Sequence, residues 1–184
     1  MGLILLFPIL LIISILIIVD SKGGVFYTQK RVGKYGTDFN LLKFRTMKTG
    51  SDKKGLLTVG EKDNRITKIG VFLRKYKLDE FPQLINILKG QMSFVGPRPE
   101  VRKYVDLYSD EQKKVLEVKP GLTDYASVEY FDEDRLLGEA SDPEQVYINE
   151  IMPAKLKLNL KYIEDQSLPA YLKVIFKTIS KVFF

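Results

Sequence analysis

The chain contains no cysteine and no histidine. Without cysteine there can be no disulfides, thiolate nucleophiles or cysteine-held zinc, which fits a reducing compartment. The lack of histidine excludes more: the commonest general base, Ser-His triads and His-ligated metals are all ruled out. Chemistry must therefore run on carboxylates, lysine, tyrosine or a metal held by oxygen. A Walker P-loop, a Rossmann glycine fingerprint and an HExxH helix are also missing, so the common nucleotide and zinc motifs do not compete. No internal repeat or low-complexity tract appears.

What is present begins with 184 residues and 45% apolar content, enough for one domain with a real core plus an anchor. The formal net charge of +6 makes a nucleic acid, an anionic membrane surface or a phosphorylated substrate a natural partner. Residues Gly2 to Val19 carry no charge and one hydroxyl residue, Ser14, in a dense run of Leu and Ile interrupted by Pro8. No basic start or small-residue cleavage site marks a signal peptide. About eighteen residues rising ~1.5 Å each give ~27 Å, marginally enough to cross a bilayer core. Pro8 costs a helix interior ~3 kcal/mol unless a kink or neighbour compensates, so a bent, re-entrant segment competes with a span. A buried core helix is the plainer alternative. Lys22, Lys30, Arg31 and Lys34 place the chain beyond Asp20 on the cytoplasmic side in either membrane geometry.

From Val25 the pattern becomes two strands joined by the Gly33–Gly36 turn, a β-hairpin reaching Arg45. Thr49 to Asn64 reads as a polar, Gly-rich surface loop long enough to act as a lid. The spacing of Ile66, Ile69, Phe72, Leu73 and Tyr76 predicts an amphipathic basic helix over 65–77. A second helix is predicted over 80–89, with Asp79 at its N-cap, Pro82 in its first turn and Gly90 as its stop. In Gly96-Pro97-Arg98-Pro99-Glu100, two prolines fix the backbone on both sides of one arginine. Residues 101–118 read as helical and 122–128 as extended. Tyr171, Leu172, Ile175, Phe176, Ile179, Val182 and Phe183 predict a C-terminal basic amphipathic helix, suited to anionic lipid, to a partner or to the core.

The candidate chemistry centres on Asp79 and Glu80. Alone, the pair would be ordinary helix-start capping. With Lys43, Arg45, Arg74 and the proline-clamped Arg98 available as cations, it instead suits phosphoryl transfer, in which phosphate must be positioned and its charge neutralised. A hard cation such as Mg²⁺ would accept oxygen ligands from Asp79 or Glu80.

The runs Lys43-Phe-Arg-Thr-Met47, Arg74-Lys-Tyr-Lys-Leu-Asp-Glu-Phe-Pro-Gln-Leu84 with Asn86, and Ser93-Phe-Val-Gly-Pro-Arg-Pro-Glu100 closely resemble the bacterial sugar transferase family, in its small monotopic phosphoglycosyl transferases. The resemblance runs from about Pro8 to Ala126 and more weakly to the end. It implies transfer of a sugar 1-phosphate from a UDP-sugar to undecaprenyl phosphate, releasing UMP and starting a membrane-bound glycan. It also implies Asp79 as the nucleophile of a covalent phosphosugar intermediate, Glu80 as its partner in metal binding or proton handling, and Mg²⁺ as cofactor, with Asp79 and Glu80 as its ligands. Lys43, Arg45, Arg74, Pro97, Arg98, Pro99 and Glu100 are the expected substrate-binding residues, although Lys43 and Arg45 could serve structure alone.

The expected fold is α+β and mainly helical: a re-entrant membrane helix over 1–20, then a catalytic domain over 21–184 with a small β-hairpin or sheet and amphipathic interfacial helices. The expected location is the cytoplasmic face of the bacterial inner membrane. Membrane lipid and glycan-assembly enzymes are expected partners, and nucleic acid is not, since no RNA or DNA recognition motif is present. A membrane-tethered module binding nucleic acid or anionic lipid, and an inactive scaffold in a glycan-assembly complex, are the alternatives. Two departures from the family pattern stand out. Phe7-Pro8 replaces a common Ser-Pro pair in a segment whose first leg would be very short, and Thr123-Asp124-Tyr125-Ala126 replaces the more usual Thr-Gly-Trp-Ala.

Overall fold

The computed structural model describes residues 2–51 and 63–183. The loop expected over Thr49–Asn64 therefore falls mostly outside the described residues. The fold is mainly helical with two small two-stranded sheets, in agreement with the α+β expectation.

Helix α1, Gly2–Asp20, runs with Pro8 in its interior. Among the described residues no helix is long and apolar enough to cross a membrane. One side of α1 is covered by protein: Ile13 and Ile17 are buried with Phe44 and Leu73, and Leu10, Val25, Ile69, Leu78 and Phe81 pack around them. The opposite side leaves Phe7, Ile9, Leu11, Ile12, Ile15 and Ile18 exposed. A helix apolar all round, half covered by protein, presents the rest to an apolar medium or a partner.

The expected hairpin is present as β1, Phe26–Val32, and β2, Asp38–Phe44, paired antiparallel from Phe26↔Phe44 to Val32↔Asp38. Asn86 then extends the hairpin sideways, accepting from Leu42 N at 3.1 Å and donating to Asn40 O at 2.8 Å. It substitutes for a third strand along β2.

Helix α2, Lys68–Lys75, is shorter than the predicted 65–77. Thr67 caps it by accepting from Gly70 N, and Asp20, the last residue of α1, accepts from Ile69 N at 2.9 Å. It ends because Lys77 turns left-handed, at φ 52°. A 3₁₀ turn, Leu78–Glu80, and helix α3, Gln83–Leu88, occupy the place of the predicted 80–89 helix. Asp79 is thus not an N-cap: it lies within the 3₁₀ turn, and the next helix starts after Pro82.

Strands β3, Ser93–Val95, and β4, Gly121–Thr123, form a short parallel pair. Their backbones nearly touch. A Cβ on Gly121 would meet Gly96 N at 2.2 Å, and one on Gly96 would meet Lys119 O at 2.5 Å, so neither position admits a side chain without moving a strand.

The helix predicted over 101–118 is divided into α4, Arg102–Val105, and a 3₁₀ turn, Gln112–Glu117. Ser109 and Gln112 exchange side-chain and backbone hydrogen bonds, a capping box that opens a second element in the middle of the span. Likewise the extended reading of 122–128 holds only to Thr123. Asp124 accepts from Ser127 N at 2.5 Å and starts helix α5, Tyr125–Glu129. Helices α6, Glu133–Gly138, and α7, Pro143–Val146, come next, and a π turn, Tyr147–Ile151, leads into α8, Met152–Glu164. The main core lies here, where Val101, Tyr104, Val105, Leu137, Tyr147, Ile151 and Leu156 close on Val32 of the hairpin. The predicted C-terminal helix is α9, Leu168–Phe183, with Val174 buried against Val95 and Tyr162 while Leu168, Leu172, Phe176 and Ile179 stay exposed.

Candidate active site

The 3₁₀ turn brings two adjacent carboxylates into the protein, Asp79 at 8% exposure and Glu80 at 9%. Their surroundings differ. Arg98 grips Glu80 as a fork, Nη1 to Oε2 at 3.1 Å and Nη2 to Oε1 at 2.5 Å, while Lys43 Nζ approaches Oε1 at 3.4 Å. Burial alone would raise Glu80, but the charges of Arg98 and Lys43 and the bonds to Arg98 outweigh it and hold the carboxyl far below its usual range. Glu80 in turn raises Arg98. Asp79 has no such partner: its Oδ1 is buried without a hydrogen bond, and burial pushes its pKa up against the pull of Lys43. Burial also lowers Lys43, partly offset by Glu80.

The clamp on Arg98 is built by the strands and by two side chains remote in sequence. Gly96 N donates to Thr123 O at 3.0 Å and Gly121 N to Pro97 O at 3.0 Å, which sets the loop across β3 and β4. Arg98 N then donates to Oδ2 of the fully buried Asp124 at 3.0 Å. At the loop's far end, Glu100 takes Arg31 Nη1 at 2.8 Å, its neighbour Val101 N at 2.6 Å and the hydroxyl of Tyr147. Burial, then the charge of Glu100, pushes the Tyr147 hydroxyl up, so it stays protonated and donates. Arg31 also reaches Pro99 O at 3.1 Å.

The seven expected binding residues are thus not all placed alike. Lys43, Arg74, Pro97, Arg98, Pro99 and Glu100 line a cavity of about 1380 Å³ together with Asp79 and Glu80. Arg74 is paired with Asp134 of α6 at 2.7 Å. Arg45 borders the cavity too, but at 7% exposure its guanidinium turns to the end of α1, donating to Gly24 O, Ser21 Oγ and Ser21 O at 2.5, 2.5 and 2.8 Å. Arg31 and Tyr147 carry no mark of a site in the sequence, and Asp124 stands out there only within the Thr123–Ala126 departure from the family pattern, a region expected to contribute to sugar-nucleotide selection. No spacing announces them, since each meets its partner across tens of residues or a change of sheet.

The cavity is larger than the ~300–1,000 Å³ of ordinary small-molecule sites, which gives room for two reactants. Among the described residues no cluster of three or more acidic, His or Cys side chains could hold a metal. Asp79 and Glu80 are two carboxylates, of which Asp79 has a free oxygen and Glu80 is engaged. That donor set suits Mg²⁺ as it is usually bound, through one or two carboxylates and the phosphates of a substrate, rather than an all-protein cage. A carboxylate with an unpaired, poorly solvated oxygen beside fixed cations is suited to nucleophilic attack on phosphorus, because the protein has already removed the water that would blunt it.

Residues 1–184 match the family described as Bacterial sugar transferase. The chain is 35% identical over 178 residues to a UDP-N-acetylgalactosamine-undecaprenyl-phosphate N-acetylgalactosaminephosphotransferase of Aeromonas hydrophila, covering 95% of this chain and 39% of that protein. It is 44% identical over 110 residues to a putative undecaprenyl-phosphate N-acetylgalactosaminyl 1-phosphate transferase of Bacillus subtilis (strain 168), covering 60% of this chain and 62% of that protein. With the UDP-glucose:undecaprenyl-phosphate glucose-1-phosphate transferase of Escherichia coli (strain K12) it shares 33% identity, over 98% of this chain and 37% of that protein. The chain thus spans from well under half to somewhat under two thirds of the length of these relatives.

Proposed function

Because the chain belongs to the bacterial sugar transferase family, we propose that it moves a sugar 1-phosphate from a UDP-sugar to undecaprenyl phosphate, with Asp79 as the nucleophile. The reading rests above all on the unpaired Asp79 Oδ1 beside a Glu80 already saturated by Arg98 and Lys43. A carboxylate oxygen of Asp79 attacks the phosphorus that carries the sugar. The bond from that phosphorus to the bridging oxygen breaks, and UMP leaves with the oxygen and its electron pair. An ionised phosphate oxygen of the acceptor then attacks the same phosphorus, forming the lipid-linked diphosphate sugar and returning Asp79 as a carboxylate. Arg98 and Lys43 stay fixed on Glu80 and offer positive charge to the diphosphate without reorganisation, which is where such sites gain most of their rate.

Mg²⁺ would be held chiefly by the diphosphate, with the Asp79 carboxylate and, where Arg98 yields an oxygen, Glu80 as the protein's ligands. When bound, the ion would supply further neutralisation of phosphate charge. Apolar α1 and the exposed apolar side of α9 support attachment to the cytoplasmic face of the inner membrane, with α1 entering and leaving on that face. A tag before Gly2 that is labelled from outside the cell would overturn that geometry.

The reaction is tested by UMP release from a panel of UDP-sugars with undecaprenyl phosphate and Mg²⁺. The wild-type chain turns over at least one donor and Asp79→Asn turns over none. Unchanged turnover in that variant removes Asp79 from the chemistry.

A further inference from the structure

Among the described residues, four buried side-chain atoms have no hydrogen-bond partner: Asp79 Oδ1, Gln83 Nε2, Ser127 Oγ and Asn159 Oδ1. Of these residues Asp79, Ser127 and Asn159 line the cavity. An unpaired buried polar atom has lost its water without gaining a partner, so each one asks for a reason. Asp79 has one in its attack on phosphorus. Ser127 and Asn159 have none yet.

Asn159 is 4% exposed on the side of α8 that also buries Leu156 and Tyr162, a position that an apolar residue would fill without any unpaired group. Ser127 lies on α5, which packs on α8. Its backbone N–H is spent on Asp124, while its hydroxyl is left over. Nearby polar groups on the same cavity are already satisfied: Thr123 and Thr178 bond each other at 2.7 Å, and Lys155 holds Glu133 at 2.6 Å. The link to the reaction centre is short, because Asp124 binds both Ser127 N and Arg98 N, and Arg98 binds Glu80.

We propose that Asn159 and Ser127 bind the sugar ring of the donor, through its hydroxyl or acylamino groups, while its diphosphate lies towards Asp79. This rests on the reaction proposed above. The carboxamide and the hydroxyl each offer a donor and an acceptor, and both residues border the cavity. A site built to hydrogen-bond a hydroxyl rejects a donor that misplaces it, since the protein groups are then left unpaired once more. These two residues therefore choose among hexoses.

The test is UMP release from UDP-glucose, UDP-galactose and their N-acetylamino counterparts, with UMP as a competing inhibitor. Asn159→Leu raises KM for the preferred donor ~10-fold and flattens the preference among donors. UMP lacks the transferred sugar, so its inhibition constant stays unchanged, and the thermal midpoint rises because an unpaired buried carbonyl oxygen has gone. Ser127→Ala gives the same pattern with a smaller rise in KM, and serves if the first variant does not fold. The proposal is overturned if UMP inhibition weakens in step with KM, or if donor preference is unaltered in both variants. Wild-type protein that releases no UMP from any donor shows instead that the reaction itself is misassigned, before any variant is compared, and the sugar site falls with it.

Discussion

Two arginines, the buried Arg45 and the half-buried Arg98, show how differently one side chain is used in two regions of this molecule. At the end of α1, Arg45 meets only neutral oxygens, the carbonyls of Ile17, Ser21 and Gly24 and the hydroxyl of Ser21, and ties the helix to the strand that carries Lys43. At the cavity, Arg98 meets the carboxylate of Glu80 and leaves the neighbouring Asp79 unpaired. The first region spends its hydrogen bonds on holding one element to another. The second concentrates charge beside an unpaired carboxylate on the cavity wall. The two regions should therefore respond differently to substitution, pH and salt.

The largest effect is expected at Arg98. Arg98→Ala lowers turnover ~100-fold or more, as losing a fixed cation at a developing charge does. It also leaves Glu80 buried with Lys43 alone and costs ~3 kcal/mol of unfolding free energy, measured in urea. Arg45→Ala is expected to cost ~2 kcal/mol through orphaned carbonyls, while turnover of the folded fraction stays within a few-fold. Arg45→Lys recovers only part of the stability, because a point charge cannot replace the fork. An Arg45→Ala enzyme as inactive as Arg98→Ala would erase the distinction between the regions.

The pH response sharpens the contrast, with a smaller effect. Burial raises Asp79 above its ordinary value of 3.8, so, with Asp79 as the proposed nucleophile, kcat/KM is expected to rise with pH around a midpoint above that value. The native state keeps a proton on Asp79 that the unfolded chain has lost, so this residue's contribution to stability falls as pH rises through the same window. Glu80 has the opposite sign: its pKa is depressed, and the stability it provides is present above its unfolded value and is lost only as pH falls towards the folded one. Unfolding free energies of wild type, Asp79→Asn and Glu80→Gln across the acid range separate the two. Asp79→Asn is more stable than wild type at neutral pH and Glu80→Gln less so. The difference between wild type and Arg45→Ala does not follow either carboxylate. Smallest of all, Asp20→Ala removes a hydrogen bond at the start of α2 and lowers the urea midpoint by an amount equivalent to ~1 kcal/mol, with KM unchanged.

Much of this was legible in the sequence where the signal is local. The hairpin comes from alternation and a glycine turn, and the amphipathic face of α9 from helical spacing. The Asp79–Glu80 pair and the proline-clamped Arg98 are visible because their neighbours limit the backbone. Two short-range competitions misled the pattern: Lys77 turning left-handed removed the N-cap role expected of Asp79, and the Ser109–Gln112 box divided the 101–118 helix. Arg45 stands in the same basic motif as Lys43, and nothing in the motif tells that it turns towards α1. The partners of Glu100 lie on β1 and on the π turn after α7, and Ser127 and Asn159 lie on α5 and α8, so these elements come together only once the chain has folded.

The contact of Gly96 with Gly121 carries a further consequence. The distance between these two strands is set by main-chain atoms in contact, with no side chain between them to tune it. The loop that holds Arg98 leaves one strand and the segment that carries Asp124 leaves the other, so the grip on Glu80 inherits the precision of a covalent skeleton rather than that of a packed interior.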